Sequence, residues 1–195
     1  MRLPPVLAAY HRRYPEVRLT VVAGHSEGLM REVLGRNLDA AFVGGGSGID
    51  HPELDVRQAF DEELVLIGGS QPDDQRRRVL LAFRHGCFYR ARAEQALREL
   101  GLVPFEIMKF GALEAILGCV AAGMGVTVLP RAAVERSPWR DQLTVQTLTP
   151  GLAQMPTMLI RRRDALLTRA MADFCAVVAA ADADQSAGTG ALGLV

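Results

Sequence analysis

Residues 17–23, Val-Arg-Leu-Thr-Val-Val-Ala, form an apolar, β-branched run that ends on Gly24; Ser26 then opens a stretch with Leu29, Met30, Val33 and Leu34 at helical spacing. A strand, a glycine turn, a polar cap residue and a helix, in that order, confine the chain to α/β architectures. The next apolar run, Ala40-Ala41-Phe42-Val43, suits a buried parallel strand reached through a crossover helix. Leu3, Leu7, Tyr10 and Tyr14 share one helical face before Pro15, so the chain opens α-β-α-β and predicts a doubly wound, mostly parallel sheet.

The pattern continues. Residues 54–60 and 63–67 read as two strands, and the polar stretch 71–78 reads as a surface connection with solvated arginines. A second α/β series follows: a strand at 79–83, a helix at 89–100 ended by Gly101, and a strand at 105–110. Then come a helix at 113–122 closed by Gly123 and Gly125, a strand at 126–129 stopped by Pro130, and strands at 143–148 and 158–160. A long amphipathic helix at 165–181 precedes an Ala/Gly/Ser-rich tail, 183–195, expected to fray. Two βα series of similar size, joined by polar connections, predict a two-lobed domain with a cleft.

Several function classes recede on composition. The formal net charge is +0, so no global field draws the chain to nucleic acid or an anionic membrane, and Lys109 is the sole lysine. No apolar run approaches the roughly 20 residues that span a bilayer, and the first residues lack the basic, apolar and small-residue segments of a secretory signal. Cys87, Cys119 and Cys175 are odd in number and widely spaced, which argues against a disulfide framework and for a reduced, cytoplasmic setting. His11, His25, His51 and His85 show no metal-ligand spacing, so neither metal nor cofactor is expected.

Gly24-His25-Ser26-Glu27-Gly28 matches the G-x-S-x-G nucleophile elbow of hydrolases. However, too few residues precede Ser26 for the strands that normally lead to an elbow, and no histidine lies in the second half of the chain. The same residues also describe a helix N-terminus facing a ligand, with Ser26 as its cap. Gly44-Gly45-Gly46-Ser47-Gly48 lacks the lysine and spacing of a phosphate loop and reads as a flexible connection.

A family likeness is carried by residues 3–10 (Leu-Pro-Pro-Val-Leu-Ala-Ala-Tyr) and 14–19 (Tyr-Pro-Glu-Val-Arg-Leu), then by 38–43, 51–54 and 62–67. It continues through Gly86-Cys87-Phe88-Tyr89-Arg90, 111–116 and 123–130. In that order and spacing, over residues 3–174, they resemble the effector-binding domain of LysR-type transcriptional regulators. The resemblance implies a type II periplasmic-binding-protein fold of two α/β lobes around an effector cleft. Its first lobe would comprise 1–69 and 151–182, its second 70–150, and 183–195 a flexible tail, with crossovers near 68–70 and 149–157. It also implies an N-terminal helix-turn-helix outside these residues, through which alone DNA would be bound, and a homodimer or higher homo-oligomer. The implied function is ligand sensing without catalysis or membrane association; a periplasmic-type solute-binding protein and a serine hydrolase using Ser26 are the alternatives.

On that reading two helix starts, at Ser26 and near Ala112, offer backbone N–H groups to a small anionic or carboxylate effector. The candidate effector contacts are Gly24, His25, Ser26, Gly44, Gly45, Phe88, Tyr89, Gly111 and Ala112, with Arg90 able to add charge. Phe88 replaces the serine of the family signature and Ala112 a common hydroxyl residue, which favours an effector with an apolar part.

Overall fold

The computed structural model describes residues 3–45, 49–70, 78–83, 88–103 and 105–189. Part of the Gly44–Gly48 stretch (46–48), most of the polar connection (71–77), Gly86 and Cys87, and 190–195 lie outside them. The chain divides into two compact units: Met1–Gly24, Gly28–Asp61 and Pro156–Val195 form the first, His25–Glu27 and Glu62–Met155 the second.

In the first unit, helix α1 (Leu3–Arg13), helix α2 (Ser26–Leu34) and helix α7 (Arg169–Thr189) flank strand β1 (Ala40–Gly44) and strand β7 (Gln154–Arg162). β1 and β7 pair antiparallel, from Ala40↔Arg161 to Gly44↔Thr157, and β7 neighbours strand β2 (Leu54–Gly69). The pleat sends Ala41 and Val43 to one face, where they meet Val33 of α2, Leu54 and Ile160. Ala40 and Phe42 go to the other, against Val6 of α1 and Phe174 and Val178 of α7. Tyr10 of α1, 1% exposed, packs edge-on against Phe174 at 5.2 Å and donates its hydroxyl to the Ala170 carbonyl at 2.8 Å.

In the second unit the run Leu64-Val65-Leu66-Ile67 is buried throughout, as a strand covered on both faces must be. Leu64 and Leu66 join Ala93, Ala96 and Leu97 of helix α3 (Phe88–Glu99); Val65 and Ile67 join Ile116, Leu117 and Val120 of helix α4 (Leu113–Ala121). β2 pairs antiparallel with strand β5 (Thr127–Pro130) and strand β6 (Leu143–Thr147). Strand β3 (Val79–Phe83) pairs parallel with strand β4 (Glu106–Phe110) and forms the parallel bridge Leu80↔Val126 with the residue just before β5. Two short helices, α5 (Arg131–Glu135) and α6 (Pro150–Ala153), complete the described elements with a 3₁₀ turn at Arg140–Gln142.

The architecture is α/β as read from the sequence, with four corrections in detail. Among the described pairings β3 meets β4 in parallel, whereas β1, β5 and β6 each pair antiparallel with β7 or β2. Residues 54–60 and 63–67 are one 16-residue strand, β2, continuous through Asp61-Glu62-Glu63. Residues 18–23 are not a strand but an exposed segment without backbone partners among the described residues. α7 begins only after Thr168, whose Oγ1 accepts the Met171 N–H at 3.2 Å, and it continues to Thr189 through the first part of the expected tail.

Candidate functional site

Within the second unit, β3 and β4 end side by side, with Phe83↔Phe110 as their last pair. α3 opens at Phe88 after β3, and α4 opens at Leu113 after β4. Two helix N-termini therefore follow the carboxyl ends of adjacent parallel strands, the place where open α/β sheets receive ligands. Ala112 holds the N-cap position of α4 with an extended backbone (φ −133°, ψ 143°) and no side-chain cap bond. Where a serine or threonine would occupy one of the first N–H groups, alanine leaves it to solvent or a guest. Beside it, a Cβ built on Gly111 meets no atom within 4 Å, so the ground before the strand ends is open.

The α3 side supplies aromatic and charged groups. Phe88 packs partly on the core, with the Arg92 guanidinium 5.8 Å from its ring centre. Tyr89 lies 6.4 Å, ring to ring, from Phe83 and donates its hydroxyl to Glu62 Oε2 at 2.7 Å. Glu62 is 8% exposed, a buried carboxylate in the middle of β2 held by a residue 27 positions away. Arg90 Nε donates to Glu94 Oε1 at 2.8 Å, while its buried Nη1 has no hydrogen-bond partner. The Arg90 bond, reinforced by Arg98 and only partly offset by burial, holds the Glu94 carboxyl below its ordinary range. Glu62 carries no sequence signal as a site, reading as one acid in a run of three, whereas Arg90 closes the Gly86-Cys87-Phe88-Tyr89-Arg90 motif.

His25 and Ser26 group with this second unit, Ser26 half-buried as the first residue of α2. Gly24, Gly44 and Gly45 belong to the first unit. There Gly44 closes the β1–β7 ladder, and Gly45 takes φ 95° while donating its N–H to Pro156 O at 2.9 Å. That left-handed turn explains a glycine at 45 by backbone geometry alone. A Cβ on Gly24 would press on Leu29 at 3.2 Å. No strand leads into Gly24-His25-Ser26-Glu27-Gly28, so the motif lacks the strand-to-helix turn of a nucleophile elbow. His51 is engaged locally, its Nδ1 accepting the Glu53 N–H at 3.3 Å. Among the described residues no group of three or more His, Cys, Asp or Glu side chains could hold a metal, and no helix is long and apolar enough to cross a membrane.

The family described as LysR substrate binding domain matches residues 1–183. The HTH-type transcriptional regulator GltR of Bacillus subtilis (strain 168) is 39% identical over 178 residues, covering 88% of this chain and 60% of that protein. The chain thus spans about 60% of the length of the curated relatives it matches. Among solved structures, the BenM effector binding domain with its effector benzoate superposes with a TM-score of 0.76 at 18% identity, covering 95% of this chain and 88% of that one. The effector binding domain of QuiR in complex with shikimate gives 0.73 at 12% identity, covering 93% and 90%. At such identities these structures establish the shared fold.

Proposed function

The chain belongs to the LysR substrate binding domain family, and on that premise we propose that it is the ligand-sensing part of a transcription regulator, built to bind a small carboxylate effector. In this reading the carboxylate is received at the opening turn of α4, where Gly111 and Ala112 leave room and N–H groups. Phe88 and Tyr89 offer the apolar surface for the rest of the molecule, and Arg90 adds positive charge. Ser26 and His25 at the start of α2 contribute polar contacts. The observation that carries the reading is the Phe83↔Phe110 pair, which brings α3 and α4 to open from adjacent strand ends. Binding of benzoate and shikimate by proteins of this fold supports the ligand class.

Sensing requires more than affinity. A micromolar ligand carries about 8 kcal/mol of binding free energy, and only its preference between two states shifts their populations. We assign the readout to a helix-turn-helix outside these residues, working in the cytoplasm on a homodimeric regulator, and assign the chain itself no catalytic step. Calorimetric titration of small carboxylates, benzoate and shikimate first, into the wild-type chain and Ser26→Trp tests the site. Saturable heat for at least one carboxylate, lost in the variant, is the expected outcome. Equal binding by both proteins removes Ser26 from the site.

A further inference from the structure

The hydrogen bonds already made beside α3 limit what the far end of a bound carboxylate can be. Leu64↔Pro130 is the last pair of β2 with β5, so Glu62 lies two residues past the carboxyl end of β5. Leu64 and Leu66 pack on the α3 side, and the period of two puts Glu62 on that same face. There Tyr89 of α3 donates its hydroxyl to Glu62 Oε2 at 2.7 Å. β3 ends at Phe83, 6.4 Å ring to ring from Tyr89, and Phe83 pairs with Phe110, which precedes Gly111 and Ala112. A run of neighbours within the second unit thus leads from the opening turn of α4 to Tyr89 and on to Glu62.

On the reading that a carboxylate is received at the opening turn of α4, we infer that the effector carries a hydrogen-bond donor, a hydroxyl or ammonium group, at its other end. Tyr89 and Glu62 set this preference. A phenol has a single proton, and that of Tyr89 is committed to Glu62. Toward a guest the tyrosine oxygen therefore offers lone pairs, and the carboxylate behind it polarises them into better acceptors. Turning the hydroxyl to a second carboxylate on the guest would take a hydrogen bond from a group only 8% exposed, where such a loss is expensive. It would also bring two like charges together. Arg90 is the competing attraction for a second anion, but its Nε already meets Glu94 at 2.8 Å and its Nη1 is buried, closed to a guest. On the other face of β2, Glu63 is held by Arg131 through two bonds of 2.8 Å, so that cation is engaged as well. The arrangement welcomes one negative charge, at α4, and works against a second near α3.

Calorimetric titration of the whole chain with ligands that share one ring tests the proposal: benzoate, meta- and para-hydroxybenzoate, para-(aminomethyl)benzoate, isophthalate and terephthalate. At least one donor-bearing ligand is expected to bind about fivefold tighter than benzoate, and both dicarboxylates at least about tenfold weaker. The hydroxyl and ammonium arms report which donor is preferred. Tyr89→Phe removes the acceptor and should bring the affinity ratio of that ligand to benzoate within about twofold of unity. Glu62→Gln keeps a partner for the Tyr89 hydroxyl but removes the charge, and should narrow the gap between benzoate and the dicarboxylates at least about threefold. A dicarboxylate that binds as tightly as benzoate to the wild-type chain overturns the proposal, gives Arg90 the second anion and leaves the carboxylate site standing. A donor advantage that survives in Tyr89→Phe also overturns it. Binding by none of these ligands overturns the carboxylate reading itself, and the donor preference with it.

Discussion

Gly111 offers a perturbation that separates the site from the fold. Its backbone lies outside the left-handed region and a Cβ there meets nothing within 4 Å, so the folded state tolerates a side chain without strain. Replacing glycine at such a position removes backbone freedom mainly from the unfolded chain, and Gly111→Ala is expected to stabilise the protein by about 0.4–1 kcal/mol. Gly111→Trp fills the open ground before α4 and should weaken carboxylate binding at least tenfold, about 1.4 kcal/mol, with stability within about 0.5 kcal/mol of wild type. Urea unfolding at constant m-value reads the first quantity and calorimetric titration the second. Destabilisation by Gly111→Ala of more than 1 kcal/mol would refute the open geometry. Unchanged affinity in Gly111→Trp would refute the placement of the site.

Other perturbations test the frame around it. Gly125→Ala should destabilise by about 1–3 kcal/mol in urea unfolding, because the new methyl would overlap the Val79 carbonyl oxygen and Leu81 Cδ1, where β3 meets the start of β5. Tyr10→Phe should cost about 1 kcal/mol by thermal unfolding, since the buried ring stays while the Ala170 carbonyl loses its donor. Acid should weaken the fold through carboxyls held below their ordinary range. Burial pushes Asp55 up, but Arg161 and Arg57 outweigh it; Arg90 and Arg98 lower Glu94; Arg162 lowers Asp164 to about 2. Their contribution is full above the unfolded values of 3.8 for aspartate and 4.5 for glutamate and is lost as pH falls through the lower folded values. Urea midpoints should therefore decline below about pH 4.5, and less so in Asp55→Asn, which starts lower and has less to lose.

Legibility in the sequence varied with how local the determining interaction was. α3 and α4 announce themselves through helical spacing and the glycines at 101 and 123, which take φ 71° and 75° at their ends. The unity of β2 is hidden because Asp61-Glu62-Glu63 looks like a break. The charges are carried through the strand by distant partners, Tyr89 on Glu62 and a two-bond Arg131 clasp at 2.8 Å on Glu63. Likewise, the antiparallel return of β7 beside β1 joins residues more than a hundred positions apart, beyond any local pattern. For the proposed site, Phe88, Tyr89, Gly111 and Ala112 stand in the motifs that carry the family resemblance, and the β3–β4 pairing brings their elements together. Glu62 is set apart by its burial, which composition does not disclose.

The central claim is that a small carboxylate is held where α3 and α4 open from the ends of β3 and β4. Amide NMR of the labelled chain, titrated with benzoate and then with shikimate, tests it most directly. Saturable shifts concentrated at residues 111–115 and 88–90 are predicted for at least one of them. Saturable shifts elsewhere that leave these residues unmoved would contradict the account.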